Sequence, residues 1–435
     1  MIQDLKVRIK GLMSSALGYS VGEGTTRFFK HLSWIGACFF LSKIVGSVAT
    51  ALAARWLGKT AFGQASLAVG SAGQIFYLIM LFGMHLSIIR YVSGNKRNPG
   101  SIVGLALTVT TIMSLIVSGV VFVFPQFISR IMGVSPDIIW YGLRFAVVFI
   151  IYTMFTFLLQ AVNDFRARGI VELMFSIVLL PAFLLGFWVA PGRFESWVVA
   201  YISAYALPSM LLVGYALRKV SPVNLSVTPN QTRDVLNYGF LNTIGSVGYA
   251  VIFAIQPLQI NNMLSEDDVG IYRVYMMGTV GISMFATNVL QAVFFPKASA
   301  STNRLGIWHS LMGVWRWAAP VVFLGFIAMG AAIVMVSGVK EYGFRLPLLL
   351  MFSAAATLMS IQASVGMLIT AQGVRGARYG LLLSAITAAT NLIGTKFLVQ
   401  EYALVGAAAA LVLTYTVAMA GTVLLRFVLN EKSTE

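Results

Sequence analysis

Long blocks of apolar residues, separated by short polar stretches, run through the whole chain. A helix that crosses hydrocarbon needs about 20 such residues. About twelve blocks qualify: 33–57, 62–90, 101–124, 138–163, 170–190, 196–217, 236–264, 269–295, 307–336, 346–371, 377–399 and 404–428. Several exceed the minimum, which predicts tilt or extension past the bilayer. The expected fold class is an all-α polytopic membrane protein of about 12 transmembrane helices. The first block lacks an A-x-A exit, so it is expected to remain as a span. Ahead of it, residues 1–32 are basic, and Ile2, Leu5, Ile9, Leu12 and Ala16 recur at helical spacing. That pattern fits an amphipathic segment on an anionic membrane surface and equally a frayed tail. Gly18 and the stretch from Gly22 to Thr25 are expected to break it before the first span.

One stretch occurs twice. Arg55-Trp56-Leu57-Gly58-Lys59-Thr60-Ala61-Phe62-Gly63 closes one apolar block, turns, and opens the next with an apolar residue and Gly. Leu264-Ser265-Glu266-Asp267-Asp268-Val269-Gly270-Ile271-Tyr272 does the same. A shift of about 207 positions pairs Leu57 with Leu264, Phe62 with Val269, Gly63 with Gly270 and Arg90 with Lys297, as an internal repeat should. Two lobes follow, 33–217 with spans one to six and 236–428 with spans seven to twelve. The segment 218–235, with Pro222 and Pro229, links them, and 429–435 is a tail. About nineteen Lys and Arg fall on the side of the N terminus against six on the other, so both termini are expected to be cytoplasmic. An even number of spans separates the copies, so they are parallel about an axis along the membrane normal. That pseudo-symmetry places a central cavity between two six-helix lobes.

Composition agrees with the pattern. The chain is 58% hydrophobic and 10% charged, with mean hydropathy +0.85, against about 45–50% apolar and about 25% charged for a soluble domain. Its single cysteine, Cys38, excludes a disulfide framework or a Cys-based metal site. His31, His85 and His309 are far apart and lack metal-ligand spacing, so no cofactor or metal is expected. The formal charge of +16 would suit nucleic acid. Its dispersal through short loops instead matches membrane topology, and no nucleic-acid partner is expected.

Five basic residues lie within the spans: Lys43, Arg55, Arg144, Arg273 and Arg316. At about 1.5 Å per residue, Lys43 and Arg316 stand roughly 14–15 Å in from the cytoplasmic ends of their helices. Arg144 and Arg273 enter less deeply from the outer side, and Arg55 lies near the outer rim. A central charge normally faces a bundle interior or a watery cavity, which is the expectation for Lys43 and Arg316. For the other three, snorkelling to the outer headgroups is the competing account. Asp164 and Glu172 are placed at cytoplasmic helix ends and Glu266 to Asp268 in an outer loop, so no central carboxylate neutralises these cations. An uncompensated positive cavity suits a phosphate or pyrophosphate headgroup, which Arg grips bidentately. All five are candidate substrate-binding residues. Arg90 and Lys297 are candidate cytoplasmic gate residues, and Pro257 is a candidate hinge, with a static kink the alternative. Gln74, Gln256, Asn288 and Gln291 either hydrogen-bond between helices or contact sugar hydroxyls. Trp315 and Trp317, beside Arg316, either pack or stack on sugar. Gly46, Gly70, Gly73, Gly278 and Gly281 read as close-packing positions.

The stretch Ala54 to Gly63 resembles the A-R-x-L-G-x-x-x-F/Y-G signature of bacterial polysaccharide repeat-unit flippases of the MOP (multidrug/oligosaccharidyl-lipid/polysaccharide) superfamily. Leu264 to Tyr272 resembles the matching L-x-x-x-x-V-G-x-Y, followed by Phe295-Pro296-Lys297. The resemblance implies two lobes alternating between inward- and outward-open states in the bacterial inner membrane. It implies outward carriage of an undecaprenyl-pyrophosphate-linked oligosaccharide for polysaccharide or O-antigen assembly, by a monomer that is not an enzyme. Implied partners are that polyprenyl-pyrophosphate-linked glycan, the membrane lipids and a polysaccharide polymerase or export complex. A cationic cavity belongs to the picture, and Lys43 and Arg316 suit it, although charged cavity positions vary among members. A multidrug exporter of the same superfamily would need an acidic site for cationic drugs, and the first span carries Lys43 instead. A peptidoglycan lipid II flippase is the nearer rival, though such relatives look longer by two helices. A membrane glycosyltransferase or polymerase would need catalytic carboxylates or a large outer loop, and the spans and loops offer neither.

Overall fold

The computed structural model describes residues 23–94, 99–226, 228–287, 304–370 and 373–426. Among them there is no strand. Ten helices are long and apolar enough to cross a membrane: α1 Gly36–Leu81, α2 Pro99–Val123, α3 Pro136–Ala161, α4 Phe165–Val189, α5 Phe194–Arg218, α6 Pro229–Met263, α7 Glu266–Thr287, α8 Arg304–Ser337, α9 Leu346–Thr370 and α10 Arg378–Leu424. At about 1.5 Å per residue, α1 and α10 are each about twice as long as a hydrocarbon core of about 30 Å requires.

Each of these two helices bends back at one non-helical residue. Gly58 (φ 75°, ψ 170°) breaks α1, and Ala403 (φ 49°, ψ −131°) breaks α10. The positive φ explains the glycine of the repeated turn, since a side chain there would be strained. In α10 the arms lie side by side, with the Asn391 amide donating to Thr414 Oγ1 at 3.2 Å. In α1, Cys38 on the first arm packs at Gly169, while His85, just past the second arm, meets the edge of Phe157. Both contacts lie at the corner between α3 and α4, so the chain has doubled back. Counting two arms for each long helix, the ten are consistent with the twelve segments read from sequence.

The helix leading into α1 already runs from Glu23, so the break expected over Gly22 to Thr25 does not occur at Glu23 to Thr25. The amphipathic pattern of Ile2 to Ala16 lies outside the described residues. Pro229 starts α6 and does not lie in the connector. Thr228 Oγ1 accepts from the Gln231 N–H at 3.4 Å, and the Gln231 side chain accepts from the Thr228 N–H at 3.4 Å. Such a box with proline in the first turn is a strong helix start. The connector packs on the start of α2, where Ser101 Oγ donates to Asn224 Oδ1 at 2.5 Å.

The two copies of the repeat face each other. Gly63 lies so close to the Glu266 carbonyl, and Gly270 to the Lys59 carbonyl, that a Cβ on either would collide with backbone. Lys59 corresponds to Glu266 and Gly63 to Gly270, so these two contacts are images of one another. Thr60 Oγ1 donates to Asp267 Oδ1 at 2.5 Å, and those residues are also repeat partners. A pseudo-twofold axis therefore passes through this point, as a parallel repeat requires. Lys59 Nζ reaches Asp267 Oδ2 at 2.9 Å, Gln64 Nε2 donates to Glu266 Oε2 at 2.6 Å, and Tyr342 OH donates to the Ala54 carbonyl at 2.7 Å. The charge count assigns this end to the outside, and it is called the outer end below. At the opposite end Ser87 Oγ donates to the Val235 carbonyl at 3.1 Å. The Arg90 guanidinium lies 4.5 Å from the Tyr238 ring centroid.

Candidate functional site

The site begins with a missing hydrogen bond. Pro257 has no N–H, so the carbonyl four residues back, on Phe253, loses its helical donor. The backbone takes up a π-turn over Val251–Ile255, a feature that often marks functional positions. Arg273 Nη2 donates to the freed Phe253 carbonyl at 2.9 Å. On the other side stands Gly70, inside a second π-turn, Ala68–Ala72. A Cβ on Gly70 would come within 2.6 Å of Arg273 Nη2. A third π-turn, Met277–Gly281, starts just beyond Arg273 on α7. Irregular turns from both lobes thus meet at one guanidinium.

That guanidinium has few partners. Among the described residues, Nη1 meets only the Met276 sulfur, at 3.9 Å, and Nε has no hydrogen-bond partner. No carboxylate pairs with it among the described residues. Tyr272, Tyr249 and Tyr201 are within electrostatic reach. Arg273 is half-buried, and its acceptor Phe253 lines an internal hollow. Tyr249, which also lines that hollow, is 48% exposed.

The hollow lies between the second arm of α1 and α6. Its volume is about 180 Å³, and its lining includes Gln74, Tyr77 and His85 from one lobe and Thr243, Tyr249 and Phe253 from the other. His85 Nδ1 is buried without a partner. Gln74 is thus the amide that faces open space. Gln256 is fully buried, donating to the Ala407 carbonyl at 3.0 Å and accepting from Tyr272 OH at 2.8 Å, so its role is interhelical.

The other candidate cations are not gathered around Arg273. Lys43 is exposed on α1 and shares a helix face with Gly36, Ser47 and Thr50, turned away from the exposed apolar stripe of Leu41, Ile44 and Val48. Arg316 is exposed on α8, 5.9 Å from the Trp317 ring, and Trp315 Nε1 donates to Ser364 Oγ at 2.7 Å. Arg144 stands on an exposed stripe with Val147 and Ile151, 5.2 Å from the Tyr141 ring, the arrangement a snorkelling side chain adopts. Arg55 is exposed at the outer end, beside Gly338. Lys297, Asn288 and Gln291 lie outside the described residues. Gly70, Gly73 and Gly278 meet neighbouring helices, whereas nothing lies close to Gly46, and Gly281 meets only its own helix.

Sequence reading placed Glu172 at a helix end, and the structure places it further in. It lies about 10 Å along α4 from Phe165 at the helical rise. Ser42 Oγ donates to its carbonyl at 3.0 Å, which sets Glu172 at the depth of Lys43. Tyr152 OH donates to its carboxylate at 3.0 Å. Nearby, Arg168 bonds Gln160 and faces the rings of Phe157 at 5.2 Å and Phe39 at 5.6 Å. The N-lobe interior therefore holds a carboxylate that helix-end counting missed.

Residues 28–302 match the family described as Polysaccharide biosynthesis protein, well over half of the chain. The chain belongs to this family. Over 207 residues it is 28% identical to the probable multidrug resistance protein YoeA of Bacillus subtilis (strain 168), a match that covers 43% of this chain and 43% of that relative. The chain thus spans less than half the length of that curated protein. Among solved structures it resembles an inward-facing multidrug resistance MATE family transporter of the MOP superfamily, with TM-score 0.63 and 13% identity over 89% of this chain and 94% of that one. It resembles the lipid II flippase MurJ in an inward closed conformation, with TM-score 0.55 and 13% identity over 91% and 87%. It also resembles a MOP superfamily transporter from Pyrococcus furiosus Vc1 (DSM3638), with TM-score 0.54 and 12% identity over 91% and 93%. At these identities the likeness is one of fold, and this polysaccharide biosynthesis family member has the fold of the MOP superfamily.

Proposed function

We propose that the chain is an alternating-access flippase of the bacterial inner membrane, a carrier and not an enzyme. Its cargo is an undecaprenyl-pyrophosphate-linked oligosaccharide, moved from the cytoplasmic to the outer leaflet for polysaccharide or O-antigen assembly. The observation that carries this reading is Arg273, a half-buried guanidinium between the lobes whose Nε is buried without a partner and which has no carboxylate partner among the described residues. A buried cation left unpaired is costly, and an anionic ligand removes that cost. The lobes 33–217 and 236–428 would rock about the hollow, with both termini cytoplasmic and the polyprenyl tail in lipid. Lys43, on the polar face of α1, extends the positive lining inward, and Arg316 is assigned to it by depth. Arg144 and Arg55 stand where outer headgroups satisfy them, so the reading does not lean on them. Arg90, on the Tyr238 ring, and its repeat partner Lys297 would form the cytoplasmic gate. A monomer working beside a polymerase or export complex fits these parts.

The test is polysaccharide export in a deletion strain complemented by variants. K43A, R316A and R273Q are each expected to insert normally and to lose export, with K43R retaining part of it. The lipid-linked sugar that accumulates inside the deletion strain would name the cargo. Normal export from all three variants would end the proposal.

A multidrug exporter is the second reading. Two observations favour it: the 28% identity to a probable multidrug resistance protein and Glu172, a carboxylate at the depth of Lys43. An exporter would need Glu172 to hold cationic drugs or protons. E172Q would then raise drug accumulation and leave glycan export intact. The flippase reading expects no change in drug accumulation.

A further inference from the structure

We propose that the short helix Pro125–Met132, between α2 and α3, lies in the phospholipid interface at the outer end and from that anchorage straps the N-lobe onto α6 of the C-lobe. Neither part depends on which cargo is carried. The helix has three sides. Phe124, at φ −123° and ψ 46°, ends the run of α2 and turns the chain. At about 3.6 residues per turn, Ile128 and Met132 share one side and pack on the core. Phe124, Phe127 and Ile131 share a second side, and Gln126 and Arg130 a third; all five are exposed. The apolar exposed side continues the exposed face of α2 made by Leu115, Ile116, Phe122 and Val123. A helix with a core side, an apolar side and a polar side fits the boundary where acyl chains meet headgroups and water. Arg130 then reaches lipid phosphate from the polar edge. Phe122 and Trp140, with ring centroids 6.1 Å apart, flank the helix near the ends of α2 and α3, as interfacial aromatics do.

The strap is the residue that follows. The carbonyl of Gly133, a residue at φ 65°, accepts from Asn261 Nδ2 at 2.7 Å, and a Cβ on Gly133 would collide with Asn262 Oδ1. Asn261 and Asn262 close α6, in the other lobe. Under the shift of about 207 positions they correspond to Ala54 and Arg55. Those two are met by the matching connection of the C-lobe: Tyr342 OH donates to the Ala54 carbonyl at 2.7 Å, and Gly338 lies beside Arg55. Each lobe thus sends the link between its third and fourth passages across to the hairpin of the other. The two crossings differ in what holds them. Tyr342 is fully buried and meets Phe62 edge-on. Its link is pinned from within the C-lobe by Tyr275 OH, which donates to the Gly343 carbonyl at 2.7 Å. The N-lobe crossing has an exposed amide hydrogen bond, which contributes little alone. Its abutment is the helix before it, and the side of that helix which protein leaves uncovered is the side that lipid holds.

The full chain with C38S, in nanodiscs of phosphatidylethanolamine and phosphatidylglycerol, tests both halves. An NBD label on I131C or on Q126C reads the two exposed sides. A phosphatidylcholine with a nitroxide high on its acyl chain is expected to quench the label on I131C several-fold more than that on Q126C, and aqueous iodide the reverse. Equal iodide quenching of both would put the helix in water. Shielding of I131C from both quenchers would mean that a second copy or another protein covers it. Either result overturns the proposal. Spin labels on Q126C and on Y402C, the latter at the exposed turn of α10, read the strap. The parent is expected to give one narrow distance distribution. N261A, which spares the lipid side, and F127Q/I131Q, which spares the amide, should each broaden it several-fold, while F127L/I131L should match the parent. If F127Q/I131Q fails to insert, F127Q alone takes its place. An unchanged distribution in N261A would show that the amide ties nothing, and one in the glutamine variant that lipid anchors nothing; each overturns the proposal.

Discussion

Arg273 and Lys43 solve the same physical problem differently. An Arg at the centre of a membrane helix costs about 2.5–3.5 kcal/mol on insertion scales, and one hydrogen bond to a charged group returns about 1.5–3 kcal/mol. Arg273, with its single good acceptor, recovers only part of that cost and adds nothing to stability. Lys43 keeps water or headgroups within reach by staying exposed on the polar face of α1. On the proposed reading, a residue that contributes nothing to folding yet occupies the junction of two lobes serves transport. R273M should consequently leave the unfolding temperature in detergent unchanged or slightly raised, while polysaccharide export falls to background. A fall of ten degrees or so in that temperature would instead make Arg273 a structural residue. Depth along a helix revealed all five cations. It could not give the rotation of the side chain, which is why snorkelling competed with burial for Arg273. A sharper signal was present: Pro257 frees the carbonyl at Phe253, and Arg273 lies about as far past the turn at Leu264 as that carbonyl lies before it.

Among the elements, the repeated turn shows which force holds the outer end shut. The Lys59–Asp267 pair is 39% and 34% exposed, and such surface pairs contribute about 0–1 kcal/mol. The reciprocal glycine contacts are different, because Gly63 and Gly270 each touch a carbonyl of the other lobe's turn. A methyl group at either forces the backbones apart, a small-residue effect on which membrane helix packing depends. K59A should therefore leave export within about twofold of the parent. G63A or G270A should speed labelling of a cysteine placed at Thr60 by a membrane-impermeant thiol reagent by roughly tenfold. Equal effects from K59A and G63A would shift the seal from packing to charge. The turn itself was readable from Leu57-Gly58 and Leu264-Ser265, since its residues recur at one spacing. That the two copies press on each other was not, because a repeat gives the symmetry and leaves the state of the axis open. The three π-turns left no periodic signal either, as one extra residue in a turn barely alters an apolar block.

For the molecule as a whole, an all-helical membrane fold was legible because lipid demands long apolar blocks, and the ten long helices described are consistent with the twelve segments read from the chain. The interior of the N-lobe was less so: Glu172 looked terminal until α4 proved to start at Phe165 and to pack on Ser42. The closed outer end and the half-buried guanidinium have an electrical consequence. An anionic headgroup leaving a cell with an inside-negative potential gains about 2.3 kcal/mol per charge per 100 mV. The empty cationic site is drawn back inward by the same field. A carrier built on Arg273 and Lys43 needs no membrane-centred carboxylate to return a proton, so flipping in proteoliposomes should follow an imposed potassium diffusion potential. Reversing the potential should slow it, and collapsing a pH gradient at constant potential should leave the rate within about twofold. A rate that tracked the pH gradient alone, and lost that dependence in E172Q, would move the coupling from the cations to the N-lobe carboxylate.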